Sequence, residues 1–309
     1  MFSWINRMST ANRGAFLLVS GISIFGFSDN LTLFVSDQVG VGQFHFSRSI
    51  FAILIITIFS RFFGYSLVPV RWKPMVFRTT FMVLAILVYF SVMPMMPISE
   101  AAAGLFTSPI FVLLFSALFF REKIGWRRAL AVFAGTIGVL LILQPGQDGF
   151  SLYHLLPIFS GASYALGSIV TYRYLSDESP MAILMAFILA IGICGGLVAS
   201  VFTTFPVTEA QRLEAPFLFK GWQEVDTIFW VWMLIIALGA SMALSLMTRA
   251  YQIVKTSYAA IYEYAYLLSV GFFGWLFWGV VPDLISFAGI VLIIIAGMVI
   301  TLSQRVSQA

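Results

Sequence analysis

The sequence predicts an all-α integral membrane protein, with ten transmembrane helices arranged as two inverted five-helix repeats. Three observations lead there. Ten apolar stretches punctuate the chain, short words recur in the same order in its two halves, and positive charge falls almost wholly on one set of loops. The 309 residues are 61% hydrophobic and only 10% charged, with a mean hydropathy of +0.99. That composition excludes an ordinary soluble domain and a disordered chain alike.

The stretches lie at 14–35, 43–63, 76–95, 99–120, 128–144, 152–175, 180–203, 227–249, 257–278 and 284–303. Each is near the ~20 residues that cross a ~30 Å hydrocarbon core at ~1.5 Å per residue. Arg7 and Arg13 precede a full-length first span, which reads as a retained helix and not a cleaved signal. Met96-Pro97-Ile98 joins the third span to the fourth, and the residues from Ala250 to Thr256 join the eighth to the ninth, so each pair forms a tight hairpin. Gly135 and Gly138 give the fifth span a small face; Gly192 and Gly196 form G-x-x-x-G on the seventh. Small residues let helices approach closely in lipid, and packing inside the monomer is the default use, with a homodimer contact as the alternative. The loop at 204–226 reads as a solvated extracytoplasmic connection. Cys194, the one cysteine, permits no intrachain disulfide and no thiolate metal cluster.

Of the 17 lysines and arginines, Arg212 and Lys220 lie on one side and Arg48 within the second span; the other 14 flank the spans on the opposite side. Positive residues mark cytoplasmic loops, so both termini are expected inside. The excess needs no nucleic acid, and lipid headgroups suffice as its partners.

Leu17-Leu18-Val19-Ser20-Gly21-Ile22-Ser23 matches Pro157-Ile158-Phe159-Ser160-Gly161-Ala162-Ser163. Ser99-Glu100-Ala101-Ala102 matches Ser257-Tyr258-Ala259-Ala260, Leu118-Phe119-Phe120 matches Leu276-Phe277-Trp278, and Phe133-Ala134-Gly135 matches Phe287-Ala288-Gly289. Four matches in one order, on equivalent helices, favour duplication. The repeats are expected at 1–148 and 149–309, within one membrane domain. Five is odd, so the second copy enters the membrane from the other side and leaves a crevice near the midplane, the build of many secondary transporters.

Glu100-Ala101-Ala102-Ala103, Thr107-Ser108-Pro109-Ile110-Phe111 and the run from Leu118 through Arg121-Glu122-Lys123 to Trp126 resemble the fourth-helix signature of the drug/metabolite transporter superfamily, in its EamA branch. Thr248-Arg249-Ala250-Tyr251 and Trp278-Gly279-Val280-Val281-Pro282-Asp283 resemble the matching words of the second half; the family usually has a glutamate where this chain has Val280. The resemblance implies ten helices, a central cavity and transport of small metabolites such as amino acids, amines, nucleoside-like cofactors or vitamins.

No P-loop, G-x-G-x-x-G, H-E-x-x-H or C-x-x-C is present, so transport is expected to run on a gradient or by exchange, without a cofactor. Charges inside spans cost from ~2.5 kcal/mol upward and therefore mark function or pairing. Glu263 lies in the inner part of the ninth span. Tyr258, Tyr262 and Tyr266 follow at four-residue spacing beside it. A carboxylate beside phenol rings suits an ammonium or sulfonium group, and can also carry a proton. The competing reading is a carboxyl that only holds helices together. Asp29, next to Asn30, and Arg48 share a depth and have opposite charges, so a buried pair is expected; Arg48 can alternatively clamp a substrate carboxylate. Tyr89 and Tyr164 are further candidates for lining the cavity. Glu100 reads as a helix-dipole partner, His45 and His154 as interfacial residues, and Arg78, Arg249 and Lys255 as snorkelling anchors.

The expected activity is alternating-access transport of a small polar or cationic organic metabolite across a bacterial cytoplasmic (inner) membrane. A larger planar metabolite, such as riboflavin or S-adenosylmethionine, stacking on the same aromatics is the second reading. An intramembrane lipid-modifying enzyme is the third; two separated histidines and one cysteine give it little catalytic or metal-binding material.

Overall fold

The computed structural model describes residues 9–92, 104–144, 153, 155–214, 216–279 and 281–306. Arg7, the Met96-Pro97-Ile98 link, Glu100, His154, Val280 and the expected repeat boundary at 148–149 lie outside the described residues. Within them the chain is helical, with no strand. The helices are α1 (Thr10–Leu31), α2 (Val41–Phe63), α3 (Trp72–Val92), α4 (Ser108–Phe120), α5 (Trp126–Leu143), α6 (Leu155–Tyr174) and α7 (Pro180–Thr204). They continue with the short α8 (Glu209–Glu214) and α9 (Pro216–Phe219), then α10 (Thr227–Ile253), α11 (Thr256–Tyr262), α12 (Ala265–Trp278) and α13 (Leu284–Val306).

Seven described helices are long and apolar enough to cross a membrane, and Ser108–Phe120, Ala265–Trp278 and Leu284–Val299 are shorter apolar helices. Lipid is the natural solvent for this surface: Leu54, Ile58, Phe62 and Phe133 are each more than half exposed. The shortness of the helices in the fourth and ninth regions has a structural origin. A turn at Phe106–Thr107 precedes α4, and a turn at Glu263–Tyr264 divides α11 from α12. Pro109, in the first turn of α4, has no N–H for the carbonyl four residues back, which explains the first interruption. The second has no proline. Both are tightened turns with i→i−3 bonds, Thr107 N–H to the Gly104 carbonyl at 3.1 Å and Tyr266 N–H to the Glu263 carbonyl at 2.9 Å, so the backbone stays paired.

α1 packs on α10 and α12, α3 on α6, α4 on α6, α2 on α7 and α10, and α5 on α13. Two of these crossings run through glycine pairs. A Cβ on Gly42 would meet the Gly195 carbonyl at 2.8 Å and one on Gly195 the Gly42 carbonyl at 2.7 Å; Gly138 and Gly289 do the same at 2.8 and 2.6 Å. Gly192 and Gly196 face Ser49 and Phe46 of α2, so the small face of α7 is used inside the bundle. The link between α10 and α11 is only Val254 and Lys255.

Three expectations are corrected by these contacts. Residues 204–226 are docked, not simply solvated. Gln43, fully buried, exchanges amide hydrogen bonds with the Gln223 backbone at 2.9 and 2.8 Å, and Phe217 packs on Phe44 and Phe90. The basic loops also have protein partners. Glu122 holds Arg128 at 2.8 Å and Arg173 at 3.5 Å, and Arg71 meets Asp177 at 3.3 Å. Finally, the interruption of the ninth span separates its tyrosines. Tyr258 lies under the Arg128 guanidinium, 4.6 Å from it, whereas Tyr266 lies beyond the turn. At the opposite end of the bundle, hydrogen bonds from Gln144 and Ser286 hold the exposed Asp283 carboxyl below the usual carboxylate range.

Candidate functional site

The interruption at Glu263–Tyr264 brings most of the buried polar chemistry of the second half to one place. Glu263, 8% exposed, accepts a hydrogen bond from Ser108 Oγ at 3.4 Å, and Tyr164 of α6 lies within electrostatic reach of the same carboxylate. Ser108 is the first residue of α4, so the carboxylate sits beside a helix N-terminus, where negative charge is favoured. Tyr264 is fully buried; its ring lies against Gly135 and its hydroxyl is 3.0 Å from Thr136 Oγ1. A side chain at Gly135 would occupy the space of that ring. The two turns also approach each other: the rings of Phe106 and Tyr264 are 6.4 Å apart.

A second set lies one helical turn along α12. The Tyr266 hydroxyl donates to Asp29 Oδ2 at 2.6 Å, and its ring packs near Phe25 and Phe106 at 6.1 and 5.9 Å. Arg48, 8% exposed, is 3.1 Å from His45 Nδ1 through Nη2, and its guanidinium lies 5.3 Å from the centre of the Phe44 ring. Asp29 and Arg48 are within electrostatic reach. They do not form the direct ion pair expected from their depths, because Tyr266 and His45 take their hydrogen bonds instead. Tyr89 is also within electrostatic reach of Asp29. Asn30 donates from Nδ2 to the carbonyls of Gly26 and Val270 at 2.9 and 3.2 Å, tying α1 to α12.

The structure thus groups Glu263 with Tyr164, and Asp29 with Tyr266, Tyr89 and Arg48. Tyr262, 8% exposed, lies in the apolar core with Leu18, Ala131 and Ile293, so its placement is that of a packing residue. Sequence reasoning missed three participants. Ser108 stood in a quoted motif, but the Ser-Pro step inside an apolar span was not read as an interruption. His45, expected at the interface, is 3% exposed and bonded to Arg48. Arg78, expected to snorkel, is 7% exposed, with Nε 3.4 Å from Thr171 Oγ1 and its guanidinium 5.6 Å from the centre of the Phe187 ring. An open recess of about 500 Å³ lined by Phe120, Tyr172, Arg173 and Gln252 lies at the basic end, apart from both polar sets.

Residues 12–144 match the model of the EamA-like transporter family. That match is confined to the first half of the chain. The resemblance read from the words of the fourth span is borne out. Among relatives, the riboflavin transporter of Brucella anthropi is 29% identical over 202 residues, covering 65% of this chain and 66% of that protein. The riboflavin transporter of Vibrio cholerae is 30% identical, over 66% of this chain and 63% of that protein, so the chain matches about two thirds of the length of these two relatives. The pseudopaline exporter CntI of Pseudomonas aeruginosa is 25% identical over 295 residues, covering 94% of this chain and 97% of the exporter. A protein crystal structure superposes with a TM-score of 0.75 at 16% identity, over 96% of this chain and 99% of that one, and establishes a shared fold.

Proposed function

We propose that this chain is a secondary transporter of the EamA-like kind that moves a small polar or cationic organic metabolite across a bacterial inner membrane by alternating access. The observation that carries the reading is the buried Glu263 carboxylate, held between Ser108 at the interruption before α4 and Tyr164 of α6. In transporters, interrupted helices near mid-depth form substrate sites, because the turn presents polar groups where a continuous helix presents none. Glu263 recognises the positive group of the substrate or carries a proton in exchange for it; Tyr164 orients the carboxylate. Asp29, Arg48, Tyr266 and Tyr89 shape the outer side of the path.

The full architecture is ten spans in two inverted repeats, 1–148 and 149–309, with both termini cytoplasmic. The helix pairings support it. Exchanging the halves turns α1 on α10 into α6 on α3, α1 on α12 into α6 on α4, and α2 on α10 into α7 on α3; α2 with α7 and α5 with α13 map onto themselves. Among the described residues no nucleophile–base pair is assembled, and the first half matches a family of transporters; both weigh against an enzyme.

A larger planar substrate is the second reading. It is favoured by relatives named riboflavin transporter and, in Rickettsia bellii at 23% identity, S-adenosylmethionine uptake transporter, and by the Phe25, Phe106 and Tyr266 rings beside Asp29.

Two experiments test these proposals. Single cysteines replacing Ser176 and Glu214 in a Cys194→Ser background should react with an impermeant reagent only from the cytoplasm and only from outside, respectively; the reverse pattern removes the topology. Counterflow into proteoliposomes loaded with unlabelled amines, amino acids or riboflavin should accumulate one labelled class. Accumulation of riboflavin alone would favour the planar reading.

A further inference from the structure

Buried hydroxyls tie the long helices into two groups. Ser28 of α1 donates to the Ile236 carbonyl of α10 at 3.0 Å, and Ser269 of α12 to the Ser23 carbonyl of α1 at 2.9 Å. In the other group Ser160 of α6 donates to the Ala85 carbonyl of α3 at 2.6 Å, and Val112 of α4 packs on Ala165 of α6. The corner after α6 belongs to this second group. The Glu178 carboxylate there accepts from the Val70 N–H at 3.0 Å and from the Arg71 N–H, just ahead of α3, and Arg71 Nη1 donates to the Tyr174 carbonyl at 3.1 Å.

At the basic end Gln252 of α10 crosses from the first group to the second. Buried, it donates from Nε2 to the Leu175 and Glu178 carbonyls, both at 2.7 Å, while Arg249 Nη1 donates to its Oε1 at 3.3 Å. An arginine only donates, so this network fixes the amide with its N–H groups on the two carbonyls. Beside the tie lies the recess of about 500 Å³, walled by Gln252 and Ile253 from one group and by Phe120, Tyr172 and Arg173 from the other. One helix joins the recess to the Glu263 site. Phe120 closes α4 at the recess, and Ser108, which opens α4, meets Glu263 at 3.4 Å. The 13 residues of α4 span about 18 Å between those two points.

We propose that the recess is the cytoplasmic mouth of the transport path and that Gln252 is the latch that closes it, released when the α1, α10 and α12 group tilts away from the α3, α4 and α6 group. Two neutral hydrogen bonds suit that duty. Their net worth is small where water can rebind the freed groups, whereas a buried ion pair would be too costly to break in every cycle. The inference rests on the alternating-access reading given under the proposed function and assigns its inner gate.

The test uses the full chain in membrane vesicles, with an impermeant thiol reagent applied from the side of the basic loops. The reporter is Thr248→Cys in a Cys194→Ser background; Thr248 is buried one turn deeper than Gln252 on the same face of α10. The control is Ala165→Cys, fully buried at the contact of α4 with α6 inside one group. Gln252→Leu should speed labelling of the reporter by about fivefold or more and leave the control within about twofold, since losing two such bonds raises the open fraction by roughly that much. Gln252→Glu keeps the side-chain volume and removes the N–H groups. It should act alike, and it decides the matter should the leucine variant not fold. Counterflow of labelled amines, amino acids and riboflavin is measured on the same vesicles.

Reporter labelling unchanged by both substitutions, with counterflow retained, overturns the latch and leaves the transport reading standing. Labelling that rises at reporter and control alike shows a loosened scaffold and overturns the latch as well. Unchanged labelling with no counterflow of any probe, in parent and variants, overturns both.

Discussion

The two buried polar sets of this bundle are built from the same residue types and solve the problem of buried charge differently. Around Asp29, compensation is largely internal: Tyr266 donates at 2.6 Å, Arg48 is within electrostatic reach, and Arg48 in turn leans on His45 at 3.1 Å, although Arg48 Nε and His45 Nε2 are buried without a partner. Around Glu263, compensation is thin. Ser108 donates at a long 3.4 Å, Tyr164 of α6 is within electrostatic reach, and among the described residues no cation pairs with the carboxylate. The Asp29 set is tied by more charge-bearing contacts within the chain, and under the proposed function the less compensated Glu263 is the group that meets a partner from outside it.

Breaking the Asp29 set should have the largest effect on stability. Arg48→Leu removes the cation that faces Asp29 and should cost roughly 3–5 kcal/mol, since a buried charge is left uncompensated. Adding Asp29→Asn should recover part of that loss in a double-mutant cycle; strict additivity would mean that the two residues act independently. Tyr266→Phe comes next. It removes one hydrogen bond to an ionised group, worth about 1.5–3 kcal/mol, and should lower the melting temperature in detergent without a new substrate preference.

A gentler comparison concerns the ends of corresponding helices. α4 closes with Arg121 at φ 50° and α12 with Gly279 at φ 67°, both left-handed caps. Arg121→Gly should stabilise by about 1 kcal/mol, because the side chain is strained there and glycine is not. An unchanged or lower melting temperature would mean that the Arg121 side chain contributes more than its backbone strain costs. Smallest should be Ser108→Ala, a loss of about 0.5 kcal/mol for a long hydrogen bond. A loss as large as that of Tyr266→Phe would show that the Glu263 set is structural after all and erase the contrast.

Much of this was legible in the residues. Hydropathy alone located the apolar regions, because lipid imposes a length and a polarity on every span. Glu263, Asp29 and Arg48 stood out because buried charge is rare. The interruptions were not legible by periodicity: 99–120 and 257–278 each read as one continuous apolar run, and only Pro109 hinted otherwise. Tertiary partners were invisible as well. Equal depth made Asp29 and Arg48 look like a direct pair, yet depth says nothing about rotation around the helix axis, and Tyr266 occupies the direction that matters. Arg78 misled for a related reason. Near a helix end a long cation ordinarily snorkels, but α6 and α7 close over this one and leave it no route to the interface.

The central claim is that Glu263 belongs to transport and not to the scaffold, and one paired measurement tests it most directly. Glu263→Gln keeps the shape and the hydrogen-bonding capacity of the side chain but removes its charge. On a single reconstituted preparation, melting temperature and transport per folded molecule are measured together across pH. The account predicts a melting temperature within a few degrees of wild type, transport at least tenfold lower (about 1.4 kcal/mol of lost transition-state stabilisation), and a flattened pH dependence. A destabilised variant with near-normal, still pH-dependent transport per folded molecule would contradict it and return Glu263 to the scaffold.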